Sequence, residues 1–350
     1  MESTPANPRF LRTLDAKPND ASIVKPGELV DIIEMTPLTL TDRRIYNLLL
    51  ANAWDRISEP VQHVIPKREL QNTLHKGTDR LEDSIRRLMS AIVQLRVLDG
   101  KQWVTKRVQL LGGNVVPDAD DGVIRYDFQP LMREIVAESR VFARLHKQIM
   151  FALSSKYSLA LYEMIQKRGN MTRTFEEMTI GEFRSFLGVP VGKLGTWINF
   201  KNFAIVPAVR EVSDLSDFKV TVEPVKGKGK QFTGVRLAWE RKPLPELREV
   251  ERELSYSKVG RKARLAGTVE AMKFGGGSAV AEAPSPALSL PLVLKSDTLG
   301  KVRKLCPGYD VYALENEWRM WAARKPQPGN ADAAFIAFAK TYVKNHPLNS

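Results

Sequence analysis

Apolar residues recur at helical spacing in three successive stretches near the start of the chain, and the same succession returns after residue 150. In the first pass, Leu38-Thr39-Leu40-Thr41 leads into a helix to about Trp54, with Ile45, Leu48, Leu49 and Asn52 on one face and Thr41 or Asp42 as N-cap. Pro66 opens a short helix, KRELQNTL, that stops near Gly77. Thr78 and Asp79 start a third helix, with Glu82 placed as in a capping box and a stripe of Leu81, Ile85, Leu88, Met89 and Ile92. Val97 to Val104, centred on Asp99-Gly100, then predicts a hairpin, because Asp-Gly favours a two-residue turn. A third strand, Val123 to Phe128, follows an acidic loop at Asp118–Asp121. Three helices followed by a β-hairpin is the order of a winged helix-turn-helix.

In the second pass, Ser154 or Ser155 caps a helix with Tyr157, Leu161, Tyr162 and Ile165 on one face. Thr179 caps IGEFRSFL, which ends at Gly188 and Pro190. A longer helix covers roughly Asn199 to Ser216 and is expected to bury Phe203, Val209 and Val212. Pro207 must sit near its first turn or kink it. A strand from Phe218 to Val222, the loop Lys226 to Lys230 and a return strand to Trp239 complete the module. The two passes correspond element by element: RIYNLLLANAW with LALYEMIQKRG, then PKRELQNTLH with TIGEFRSFLGV. The expected fold class is therefore α+β: tandem winged helix-turn-helix domains, a flexible linker and a small helical C-terminal region. The expected boundaries are a flexible arm over 1–24, a first domain over 25–150, a second over 151–242, a linker over 243–295 and a tail over 296–350.

Charge changes the picture from fold to partner. The 350-residue chain carries a formal net charge of +13, which points to a polyanion. A winged helix places its third helix in a major groove and its hairpin on the flanking backbone, so the polar residues of those elements are the candidates. In the first module Arg80, Ser84, Arg87 and Gln94 are expected to face away from the apolar stripe, with Lys101 at the hairpin tip. In the second they are Asn199, Lys201, Asn202 and Arg210, with Lys193 in the preceding loop. Lys226, Lys228 and Lys230 alternate with glycine in the second wing, which lets backbone and charge approach a phosphate path.

No enzyme chemistry emerges. His63, His75, His146 and His346 form no ligand pair, and the single cysteine, Cys306, excludes a disulfide framework and a cysteine-based zinc site. Cys306 reads as a small apolar residue in a helical region. Gly188 to Lys193 misses the phosphate-loop spacing by one residue, and Leu194 stands where Ser or Thr belongs. Tyr157 and Tyr162 lie on an apolar helix face, which suits packing better than strand cleavage. No catalytic residue, cofactor or metal is expected. No run of about 18 apolar residues suggests a membrane span, and MESTPANPRFLRTLDAKPND lacks the apolar stretch of a secretory leader, so a bacterial cytoplasmic location is expected.

The stretch LVDIIEMTPLTLTDRRIYNLLLANAW resembles the start of the first winged helix of iteron-binding plasmid replication initiators, the initiator Rep protein family. SSKYSLALYEMIQKR, MTIGEFRSFLGVP and FKNFAIVPAVREVSDLSDFKVTVEPVKGKGKQFTGVRLAWERK resemble their second. The likeness runs from about residue 25 to 242 and rests on order and spacing rather than on single invariant residues. It implies a DNA-binding protein that recognises direct repeats at a plasmid origin and helps open an adjacent AT-rich segment. It also implies recruitment of the host initiator and replicative helicase, and dimers that repress the protein's own gene while monomers initiate. Two other readings stay open: a plasmid or phage transcription regulator of the same fold, and a rolling-circle nickase, against which the missing histidine pair weighs.

Beyond residue 242 the chain is strongly charged to 266, as an exposed helix or a charged linker, and turns to Gly, Ala, Ser and Pro from Gly275 to Pro291. Within it, Ala287 to Leu294 resembles the short peptide by which bacterial replication proteins dock on the sliding clamp, with Leu288, Leu290 and Leu292 as anchors and Ala287 where the motif wants Gln. The alternative is an octet that packs on the preceding domain. Two helices are expected in the tail. One carries Tyr309, Tyr312, Leu314, Glu317, Trp318 and Trp321. The other carries Phe335, Phe338 and Tyr342. Two short helices bury little surface, so the tail is expected to need a partner or the main body.

Overall fold

The computed structural model describes residues 12–71, 78–115, 121–169, 171–227, 232–256, 294, 296–307, 311–322 and 330–345. The chain divides into two compact units, of which one is Arg12–Tyr256 and the other contains the C-terminal helices.

The second winged helix is the more regular. Helix α6, Lys156–Arg168, starts at Ser155, whose hydroxyl accepts the Ser158 amide, and buries Leu159, Leu161, Tyr162 and Ile165. Strand β9, Phe175–Thr179, leads into α7, Ile180–Phe186, through a complete capping box between Thr179 and Glu182. The long helix is a composite rod: α8, Trp197–Phe200, a π-helical turn, Lys201–Ile205, and α9, Val206–Leu215. The π turn resolves the problem set by Pro207. Val206 donates its amide to the Lys201 carbonyl, and the widened turn accommodates a residue that has no amide to donate and whose ring crowds the preceding turn. Strands β10, Phe218–Lys226, and β11, Phe232–Arg241, form the wing, paired from Phe218 with Arg241 to Lys226 with Phe232. β9 pairs with the other edge of β11 and gives the order β10-β11-β9. β9 was not among the expected elements. Its exposed Phe175, Glu177 and Thr179 alternate only with half-buried Glu176 and Met178, so its apolar periodicity is weak.

The first winged helix begins earlier than expected. Strand β1, Ser22–Pro26, is buried throughout and pairs with β8, Phe142–His146. From residue 12 onward the stretch expected to be a free arm is therefore packed structure. β2, Ile33–Glu34, precedes α1, Leu40–Ala53. Thr39 caps α1, with Asp42 as its reciprocal partner, two residues before the earlier of the two expected caps. β3, His63–Pro66, and α2, Lys67–Gln71, lead to α3, Thr78–Ser90. The hairpin β4, Ile92–Asp99, and β5, Gln102–Gln109, turns at Gly100, whose φ of +58° suits glycine. Because α3 stops at Ser90, Ile92 belongs to β4 and is exposed rather than part of the helix's apolar stripe. The third expected strand exists as β7, Val123–Tyr126, but it pairs with β3 and β6, Asn114–Val115, in a separate sheet. α4, Pro130–Glu138, packs behind the hairpin, and α5, Lys147–Ala152, follows β8 towards α6.

After the second wing, α10, Leu244–Ser255, buries Val250 and packs on α9 and α5, so the charged stretch is a helix of this unit up to Tyr256. Among the described residues the C-terminal unit has three helices where two were expected in the tail: α11, Ser296–Leu305, α12, Val311–Ala322, and α13, Ala331–Asn345. Leu299, Val302, Cys306, Leu314, Trp318 and Phe335 form a core of its own. Leu294, the last residue of the apolar octet, lies in that core, whereas Leu288, Leu290 and Leu292 fall outside the described residues.

Candidate nucleic-acid interface

The outward face of the α8–α9 rod is set by what the rod buries. Phe200, Ala204, Ile205, Ala208, Val212 and Leu215 enter the core, and Asn199, Lys201, Asn202 and Arg210 are left exposed, as expected. Arg210 Nε approaches Asp214 at 3.8 Å, a loose solvent-facing pair. Phe203, expected to be buried, is 66% exposed, and Ile198 and Val206 stand out beside it. Val212 is buried and Val209 half-buried, as expected.

The loop that delivers the rod is held from both sides. Arg184 donates to the carbonyls of Lys193 and Leu194, at 2.5 and 2.6 Å, and lies over the Phe200 ring. Gly188, Gly192 and Leu194 all adopt positive φ, and Thr196 caps α8 by accepting the Asn199 amide. Lys193 is exposed at the turn. In the wing, Lys226 is exposed at the end of β10, while Lys228 and Lys230 lie outside the described residues.

The corresponding surface of the first module is different. Arg87 stays half-exposed, but its guanidinium is engaged: it forks onto Asp42 at 2.8 Å and reaches Ser84. The fork holds the Asp42 carboxyl below the usual range although burial opposes it. Ser84 is buried, and Gln94 is on β4 rather than on the helix. The Arg80 side chain lies outside the described residues. The exposed described positions of α3 include Glu82, Asp83 and Arg86, two of them acidic and poorly suited to a phosphate backbone. Lys101 is exposed at the hairpin tip, as expected.

Between the modules lies a buried ionic cluster that the sequence did not announce. Glu163 of α6 accepts from Lys25 of β1 at 2.9 Å and from Asn47 of α1 at 2.7 Å, with Arg43 at 3.7 Å. Arg43 also donates to Glu34 at 2.8 Å, and Lys156 of α6 to Glu34 at 3.2 Å. Arg44 donates to the carbonyls of Met150, Phe151 and Leu153, and burial pushes its pKa down to about 10. Asp31 receives Lys167 at 2.7 Å and Arg168 at 2.8 Å. Because these charges come from β1, α1, the residues around β2, and α6, they tie the first module to the first helix of the second.

Of the groups screened for chemistry, His75 and His346 lie outside the described residues, and the following occupy packing positions. His63 packs beside Tyr126 and Phe128, and burial lowers its pKa. Tyr162 is buried with its hydroxyl accepting the His146 amide, and Tyr157 is half-buried. Cys306 is buried in the C-terminal core. Among the described residues no cluster of three metal-ligating side chains occurs, and no helix is long and apolar enough to cross a membrane.

Two family models match the chain. The model described as "Initiator Replication protein, WH1" covers residues 22–166, and that described as "Initiator Rep protein, WH2" covers residues 179–239. The first match begins at Ser22, the start of β1, within the stretch expected to be an arm. No curated protein matches. A solved structure titled "Crystal structure of Pi initiator protein in complex with iteron DNA" aligns at 16% identity, over 63% of this chain and 98% of that one, with a TM-score of 0.45.

Proposed function

Because the chain belongs to the initiator Rep protein family, with both winged-helix models matched, we propose that it is a plasmid replication initiator that binds direct repeats, iterons, at its origin. In this reading the α8–α9 rod enters the major groove of double-stranded DNA, and Lys226, Lys228 and Lys230 follow the flanking backbone. The observation that carries it is the contrast between the two modules. The rod offers Asn199, Lys201, Asn202 and Arg210 to solvent, whereas α3 ties half-exposed Arg87 to Asp42 and exposes Glu82 and Asp83 beside Arg86. Base-specific contact therefore belongs mainly to the second module. Lys101 and Lys193 supply backbone contacts, and Arg80 is the remaining candidate on α3.

Further steps follow from the family. The bound protein helps open an AT-rich segment and recruits the host initiator and replicative helicase in the bacterial cytoplasm. It associates with itself, and the dimer represses its own gene and so contributes to copy control. The tail and the peptide containing Leu288, Leu290 and Leu292 serve recruitment, with the sliding clamp as one partner. The working domains are 25–150 and 151–242, with β1 joined to the first, α10 to the second, and the linker beginning after Tyr256. No cofactor, metal or catalytic step enters this reading.

The test is binding to the direct repeats that adjoin the gene, compared with random duplex. Arg210→Ala and Asn202→Ala are each expected to reduce discrimination by about 1–3 kcal/mol, because bidentate base contacts carry sequence information. Equal loss on both duplexes removes these residues from base reading. Plasmid maintenance separates an initiator from a transcription regulator of the same fold, which binds repeats but sustains no replication.

A further inference from the structure

Three large apolar side chains stand on the solvent side of the rod: Ile198 is 67% exposed, Phe203 66% and Val206 48%. The core does not need them, since Phe200, Ala204, Ile205, Ala208, Val212 and Leu215 already fill the inner face. Exposing them costs apolar hydration, and they sit among the polar residues assigned to base contact rather than on a separate patch. Lys201, Asn202 and Phe203 are three consecutive exposed residues, all in the π-helical turn. A widened turn at a ligand-facing surface is a common functional device in helices.

The major groove offers a matching chemistry. Among the four bases only thymine presents an apolar group there, its C5-methyl, and its partner adenine presents the N6 and N7 pair that an asparagine amide can bridge. Asn199 and Asn202 lie along the rod between Ile198 on one side and Phe203 and Val206 on the other. A face that sets amides beside apolar side chains suits A·T pairs; guanine pairs best with Arg or Lys, which leaves Lys201 of the same turn to the flanking phosphate or a neighbouring guanine. We infer that Ile198, Phe203 and Val206 read thymine methyl groups, so that the second module selects repeats with A·T pairs beneath the π turn, and Phe203 is the principal specificity-determining residue. The inference rests on the reading of the rod as a duplex-binding element.

The experiment uses the full-length chain and the duplex it selects from a random pool. Thymines in that duplex are replaced one at a time by deoxyuridine, which removes only the methyl, and affinity is measured by anisotropy at fixed salt. The expected result is a loss of about fourfold at each contacted position, the equivalent of one buried methyl group. In Phe203→Ala the penalty at one or two of those positions should vanish. Ile198→Ala provides a second, independent variant, and thermal unfolding checks that both remain folded. Unchanged affinity for the fully deoxyuridine-substituted duplex overturns the methyl reading while duplex recognition stands. Phe203→Ala and Ile198→Ala that weaken thymine and deoxyuridine duplexes equally overturn it too. Failure to select any duplex overturns the underlying DNA reading instead.

Discussion

At the scale of single residues, Glu163 is a charge held entirely by its partners. It has no solvent exposure, and Lys25 and Asn47 donate to it while Arg43 stands close. Desolvating such charges costs several kcal/mol, and the pairing offsets that cost only while every partner is present. Glu163→Ala leaves Lys25 and Arg43 short of a counter-charge and is expected to destabilise the protein by about 3–5 kcal/mol in urea unfolding. Asp55→Ala breaks the pair with Lys17, whose side chains are 83% and 60% exposed, and should cost less than about 1 kcal/mol. Similar losses for the two variants would mean that the buried cluster contributes no more than a surface pair. Asp31 supplies a pH signature. Burial raises its pKa, but Arg168 and then Lys167 outweigh burial and hold the carboxyl below its ordinary value. A group depressed in the folded state stabilises fully above its unfolded pKa, about 3.9, and the stabilisation is lost as pH falls through the lower folded value. Asp31→Asn should therefore remove part of the acid-side fall in stability below about pH 4, and an unchanged acid limb would show that Asp31 does not contribute to it.

At the scale of elements, the rod depends on how the loop before it is anchored. Gly188 has a φ of +68°, and a Cβ there would lie 2.8 Å from the Arg43 guanidinium and 2.9 Å from the Glu34 carboxyl. Glycine thus meets two requirements at once, left-handed backbone and close approach of the first module. Gly188→Ala is expected to cost more than about 1 kcal/mol and to weaken specific binding through the displaced loop. Gly195→Ala, where nothing lies within 4 Å of the added methyl, is the control and should be close to neutral. If both variants unfold at the wild-type urea concentration, the contact with Arg43 and Glu34 is not needed to hold the loop. The wing makes a different contribution. Changing Lys226, Lys228 and Lys230 together to Gln should weaken binding to every duplex and lower the salt slope by up to ~3 units, one for each phosphate that is no longer neutralised. An unchanged slope would assign the loop to solvent.

At the scale of the whole molecule, the proposed function assigns recognition and recruitment to different parts of the chain. α10 packs on α9 and α5, so a cut at Lys242 would strip a helix from the second module, whereas a cut after Tyr256 spares it. A chain ending at Tyr256 is expected to bind the repeats with unchanged affinity and yet fail to maintain the plasmid. Normal maintenance by the shortened chain would leave the tail without a recruiting role. Among the described residues the tail has a core of its own, formed by Leu299, Val302, Leu314, Trp318 and Phe335, to which α11 adds a third helix beyond the two expected.

The amino-acid pattern by itself determined what depends on neighbours three or four residues apart. The stripes of α1 and α6, the cap at Thr179, the Asp99-Gly100 turn and the repeated helix-to-hairpin order all follow from local spacing and turn chemistry. The outward polar set Asn199, Lys201, Asn202 and Arg210 was legible for the same reason. Only the tertiary structure decided matters that join distant residues. β1 finds β8 about 120 residues later, and Lys25 finds Glu163 across 138. Arg87, still half-exposed, pairs with Asp42, 45 residues away, because a carboxylate buried at the start of α1 needs a counter-charge. Phe203 stands outward because the core is already filled by its neighbours on the rod. Periodicity marks a residue as apolar, but whether it is buried depends on which face the rest of the fold covers.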